Sequence, residues 1–174
     1  MNLTNSRMAK GALFIALGVL FPQLFHLIGF GGPVFLPMHI PVLLAGLLVC
    51  PIAGLYVGLI TPVLSYFLTG MPPLSPPILP IMFFELATYG LVAGILYRKL
   101  KLNIFISLVG AMISGRIIYG FVLIIMLNIF ALQLPPGLTL KAAIITGMPG
   151  MLTQLIFIPI LVKSLAGGLR GVKY

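Results

Sequence analysis

The sequence predicts an all-α integral membrane protein, with six transmembrane helices in one domain over residues 1–174 and both termini cytoplasmic. Three observations lead there. Hydrophobic residues make up 61% of the 174 and charged residues 6%, with a mean hydropathy of +1.26. A water-soluble domain carries roughly 25% charged residues, so this chain cannot cover a solvated surface. Apolar segments long enough to be helices recur along the whole chain, and nearly all the basic residues fall on one side of them.

A helix needs about 20 apolar residues to cross the hydrocarbon core. The six candidates are residues 8–29, 38–50, 51–69, 80–98, 103–132 and 141–165. Arg7 and Lys10 before the first give it the look of a signal peptide, but the apolar run continues to Phe30 and no A-x-A site closes it. It is therefore expected to be a retained helix. The second segment is short. Only Cys50-Pro51 separates it from the third, which makes a tight hairpin. Pro41 is tolerable at a first helical turn. Pro22, Pro62, Pro149 and Pro159 lie inside segments and predict kinks, which neighbouring helices accommodate in membranes.

Orientation follows from the positive charges. Arg7, Lys10, Arg98, Lys99, Lys101, Lys163, Arg170 and Lys173 all fall on one side when six spans are drawn, and that side is cytoplasmic. Lys141 lies outside and Arg116 within the membrane. Topology thus accounts for the net charge of +9, and nucleic-acid binding, which would cluster the basic residues on one solvated face, is not expected. The outer side carries three connections: "GFGGPVFLPMH" (29–39), "GMPPLSPPILP" (70–80) and "QLPPGLTLKA" (133–142). The second has five prolines in residues 71–80 and no charge. Such a segment is stiff and reads either as a lid over an outward-facing cavity or as a spacer; the missing charge favours the lid.

Glu85 is the only acidic residue of the chain. With Arg116 it forms the pair of charges placed well inside the bilayer, where insertion scales put the cost of each at roughly 2.5–3.5 kcal/mol. Glu85 lies 15 residues before the turn at Leu100, and Arg116 lies 16 after it. In an antiparallel hairpin this puts both roughly 18–20 Å above the cytoplasmic edge, at ~1.5 Å per residue. They either pair only to fix two helices or line a cavity and bind a polar ligand. Polar neighbours favour the cavity. Tyr89 follows Glu85 at i+4 on the same face, and Tyr119 is one turn from Arg116. Gln154 has Gly147, Gly150 and Met151 around it. Asn128 joins the candidate set, although it lies about 120° around the helix from Arg116.

His26 and His39 flank the first outer connection. Two histidines do not define a metal site, so His39 is taken as a candidate ligand contact. Cys50 is alone, which excludes an internal disulfide and leaves a small packing residue. No Ser/His/Asp set, paired carboxylates or phosphate-cradling loop occurs. Neither an enzyme nor a cofactor or metal is expected. In the first segment Ala9, Ala12 and Ala16 share one side at spacings of three and four. Small residues let another helix approach closely, within this chain or from a separate membrane subunit.

Six helices in so short a chain, Ala12-x-x-x-Ala16, and "HIPVLLAGLLVCPIAGLYVGLITPVLS" together resemble the S components of energy-coupling factor (ECF) vitamin transporters. The most specific parts are the H-x-P-V-x-L-A-G run from His39 and P-x-x-G-x-x-x-G from Pro51. The resemblance implies a subunit that captures a vitamin or related micronutrient from outside, in a bacterial cell membrane. It further implies a site in the outer parts of the fourth to sixth helices, closed by the first, third and fifth loops. Ala12 and Ala16 match the alanine motif that contacts the membrane coupling subunit, and two ATPase subunits power transport. The family's metal carriers rely on an N-terminal Met-His, whereas this chain begins Met1-Asn2. Two other classes stay open. A self-sufficient secondary transporter would have Glu85 alone for ion coupling, and a non-transporting assembly subunit would need no pocket.

Overall fold

The computed structural model describes residues 3–27, 29, 32–73, 78–130 and 139–170. Its elements are all helices: α1 (Leu3–Leu27), α2 (Gly32–Phe35), α3 (His39–Leu48), α4 (Pro51–Thr69), α5 (Ile78–Gly94), α6 (Ile104–Phe130) and α7 (Leu140–Arg170). α5 runs on into one π-helical turn, Ile95–Lys99.

Among the described residues, five helices (α1, α4, α5 with its π turn, α6 and α7) are long and apolar enough to cross a membrane. α3 is a shorter apolar helix of 10 residues, reaching about 15 Å against a hydrocarbon core of about 30 Å. Its brevity has a local cause. Leu36 takes a positive φ of 50°, and Pro37 follows, so the helix restarts only at His39. α2, unforeseen in the sequence, occupies the connection between α1 and α3. α3 is buried on almost every side, as befits a helix that is apolar all round.

Local chemistry sets the ends of the helices. The Cys50 thiol accepts from Ala53 N at 3.3 Å, with Pro51 at the first helical position of α4, where a missing N–H costs nothing. α4 stops at Gly70 in the left-handed conformation, φ 71°. Asn103 Oδ1 accepts from Phe105 N at 2.9 Å and opens α6. Thr139 Oγ1 accepts from Ala142 N at 3.1 Å and opens α7. Arg98 Nη1 donates to the carbonyls of Leu47 and Leu48 at 3.3 and 2.9 Å, which satisfies free carbonyls at the end of α3.

α5 is the central helix, packed on α3, α4 and α6; α1 covers α3 and α4, and α7 closes on α6, α2 and α3. Glycines let three of these helices touch backbone to backbone. A Cβ at Gly54 would lie 2.6 Å from the Gly90 carbonyl carbon and 2.8 Å from Gly46 Cα. One at Gly58 would lie 2.5 Å from the Leu86 carbonyl carbon. The Gly54-x-x-x-Gly58 and Gly90-x-x-x-Gly94 pairs are thus the contact faces of α4 and α5.

The polarity is that of a membrane protein. Leu13, Leu20, Ile60, Ile117, Phe121 and Ile156 face outward, while His39, Ser65, Glu85, Arg116 and Gln154 are buried. Apolar surface outside with charge inside cannot be stable in water but suits lipid. The fold is therefore that of a multi-pass membrane protein.

Candidate functional site

Helices α5 and α6 form the antiparallel hairpin that the spacing around Leu100 requires, and their two buried charges meet. Arg116 Nη1 lies 3.0 Å from Glu85 Oε1, with the side chains 10% and 4% exposed. The pairing is incomplete. No N–H is aligned on Oε1, and Arg116 Nε and Nη2 donate to nothing among the described residues. A buried ion pair with spare hydrogen-bonding capacity is costly.

A cavity of about 460 Å³ opens beside the pair, within the usual range for small-molecule sites of about 300–1,000 Å³. The α5 wall carries Ile78, Ile81, Met82 and Glu85, the i, i+3, i+4, i+7 pattern of one helix face. α6 contributes Arg116 and Tyr119, and α7 contributes Thr146. Ser65 contributes from α4, and Pro22 and His26 from α1. Leu36 to His39 and Met71 to Pro73 complete the lining.

The candidates separate into three groups. Glu85, Arg116, Tyr119 and His39 line the cavity. The Tyr119 ring lies 5.8 Å from the Arg116 guanidinium carbon, within cation–π range. Tyr89 does not reach the cavity wall. It lies fully buried beneath it, its ring edge-on to His39 at 4.9 Å and pressed on Gly115. Gln154 and Asn128 also stand apart. Gln154 Nε2 donates to Leu36 O at 3.3 Å, whereas exposed Asn128 bonds its own helix at Ile124 O, 2.9 Å. Ala9, Ala12 and Ala16 are exposed on α1.

Sequence reasoning missed Ser65, Met82 and Ile81. The two α5 residues were recoverable by stepping back three and four positions from Glu85. Nothing in the sequence marks Ser65, because only tertiary packing turns that face of α4 towards α5. Residues 74–77 of the Pro-rich connection and 131–138 of the third lie outside the described residues.

Gln154 instead holds the strap over the cavity. A Cβ at Gly150 would lie 2.6 Å from Val34 O, and one at Gly147 would lie 3.2 Å from Leu36 Cδ1. The two glycines form a notch in α7 that seats α2 and Leu36. Gly150→Ala is expected to unseat this strap at a cost of about 1–3 kcal/mol. Hydrogen exchange should rise over residues 34–40 and leave α4 and α5 protected; unchanged exchange would show that α7 does not hold the strap.

The fold and cavity define a class: a multi-pass membrane protein with a solute-sized cavity between its helices. The family described as "ECF transporter, substrate-specific component" matches residues 6–169. The chain belongs to that family, and it is a substrate-binding subunit of transport. Neither a curated protein nor a solved structure matches it significantly.

Proposed function

We propose that this protein captures a vitamin or related small micronutrient from outside a prokaryotic cell and delivers it through an ATPase-driven ECF module. The observation that carries the reading is the cavity with Glu85 and Arg116 on its wall. Arg116 donates charge-assisted hydrogen bonds to the solute, and Glu85 accepts from a solute N–H or O–H while holding the guanidinium in place. Tyr119 and His39 flank the body of the solute. Tyr89 and Gln154 support the wall and the strap, and Asn128 faces away. The whole chain acts as one substrate-binding bundle. Met71–Pro73 close the cavity mouth together with Leu36–Met38.

In this reading α3 counts as the second of six crossings, with the α2 strap completing its reach. Both termini and the Arg98–Lys101 turn then face the cytoplasm, as the distribution of positive charge requires. Ala9, Ala12 and Ala16 dock the membrane coupling subunit, which two ATPases drive. Ala12→Leu with Ala16→Leu should abolish co-purification with that module and leave solute affinity of the isolated subunit within about twofold, since the face makes no contact with the cavity. Retained assembly would refute the docking role.

Capture is tested by purifying the protein in detergent and screening vitamins by thermal shift and bound-ligand mass spectrometry. At least one small organic molecule should bind at nanomolar to micromolar levels. Uptake by the protein alone in vesicles carrying a proton gradient would instead favour a secondary transporter with Glu85 as its coupling group.

A further inference from the structure

The chemical class of the solute can be read from the charges and the apolar lining of the cavity wall. We propose that the cavity takes a solute of zero net charge with a largely apolar body. The proposal rests on the capture function above.

Charge balance comes first. Among the described residues lining the cavity, Glu85 is the one carboxylate and Arg116 the one guanidinium or ammonium group. They stand 3.0 Å apart and cancel. A carboxylate or phosphate drawn to Arg116 would have to settle beside Glu85, against like charge in a medium with little water to screen it. A cation drawn to Glu85 meets the same obstacle in Arg116. A neutral solute leaves the ion pair intact.

The rest of the wall sets the body of the solute. The side chains of Leu36, Pro37, Met38, Met71, Ile81 and Met82 offer no hydrogen bonds, and a polyol or sugar phosphate placed there would lose those it made in water. Methionine side chains adapt to flat or irregular apolar shapes.

The test uses the full-length protein in lipid nanodiscs and matched probes that differ in one group. Nicotinate is compared with nicotinamide, biotin with biotinamide, and pantothenate with panthenol, by isothermal titration at pH 7.5. In each pair that shows saturable binding, the uncharged member is expected to bind at least tenfold more tightly. Glu85→Gln, which leaves the Arg116 charge uncompensated, should move that ratio at least tenfold towards the acid. Tighter binding of the acids by the unmodified protein overturns the neutral-solute class and leaves capture standing. Absence of saturable binding by every probe counts against both. The ratio for the unmodified protein needs no variant, so it decides the matter even where Glu85→Gln fails to fold.

Discussion

Arg116→Gln and Glu85→Gln are each expected to lower solute affinity about 100-fold or more, the equivalent of about 3 kcal/mol. Truncating one partner of a buried charge pair in a binding site costs about 2–5 kcal/mol, much of it from stranding the other charge. Here the stranded group would sit within the membrane, beside walls that offer it little else. Each single variant should also melt earlier, because the remaining charge is buried alone. The double variant separates the two roles. With both charges gone, nothing is stranded, so Glu85→Gln/Arg116→Gln should recover most of the lost melting temperature and none of the affinity. If affinity returns along with stability, the pair only holds α5 to α6. Titration and thermal melts on the same four proteins decide between these outcomes.

Gly90→Val should be the most damaging single substitution in the packing core. A Cβ at Gly90 would lie 2.5 Å from the Gly54 carbonyl carbon and 2.8 Å from Gly54 Cα. The obstacle is backbone, so no side chain can rotate away, and α5 must part from α4. Overpacking commonly costs about 1–3 kcal/mol; here about 3 kcal/mol or more is expected, seen as loss of monodisperse protein or a sharply lowered melt. Because α5 also carries Glu85, the cavity wall would move with it. Gly11→Ala provides the contrast. A Cβ there meets nothing within 4 Å, so alanine should leave the isolated subunit as stable or gain about 0.5–1 kcal/mol from helix propensity. Equal losses at Gly11 and Gly90 would show that helix propensity, not contact between α4 and α5, governs these positions.

Much of the architecture was legible because lipid imposes a simple rule: long apolar runs become helices, since their backbone groups have no other partner. The segments at 51–69 and 141–165 return as α4 and the body of α7, and the Cys50-Pro51 hairpin stands where it was read. The short α3 was less legible. Hydropathy counts residues and cannot see that Leu36 turns left-handed, so α2 and its strap emerged only in three dimensions. Glu85 and Arg116 could be placed together because both lie on one hairpin, where distance from the turn fixes depth. Gln154 could not be placed in this way. Its partner is Leu36 O, 118 residues away, and no local spacing encodes that contact.

By itself, the sequence determined that this is a helical membrane protein, which helices carry its two inner charges, and that those charges lie level. Composition and the 1.5 Å rise of a helix suffice for that, because both act locally. Tertiary structure alone decided which polar groups share a cavity and which support it. It brought Ser65 and His39 to the wall, kept Tyr89 beneath it, and turned Gln154 to the strap. The physical reason is that α1, α3, α4 and α7 reach the site through glycine-mediated contacts between segments distant in the chain, and the angle at which two helices cross is a property of both.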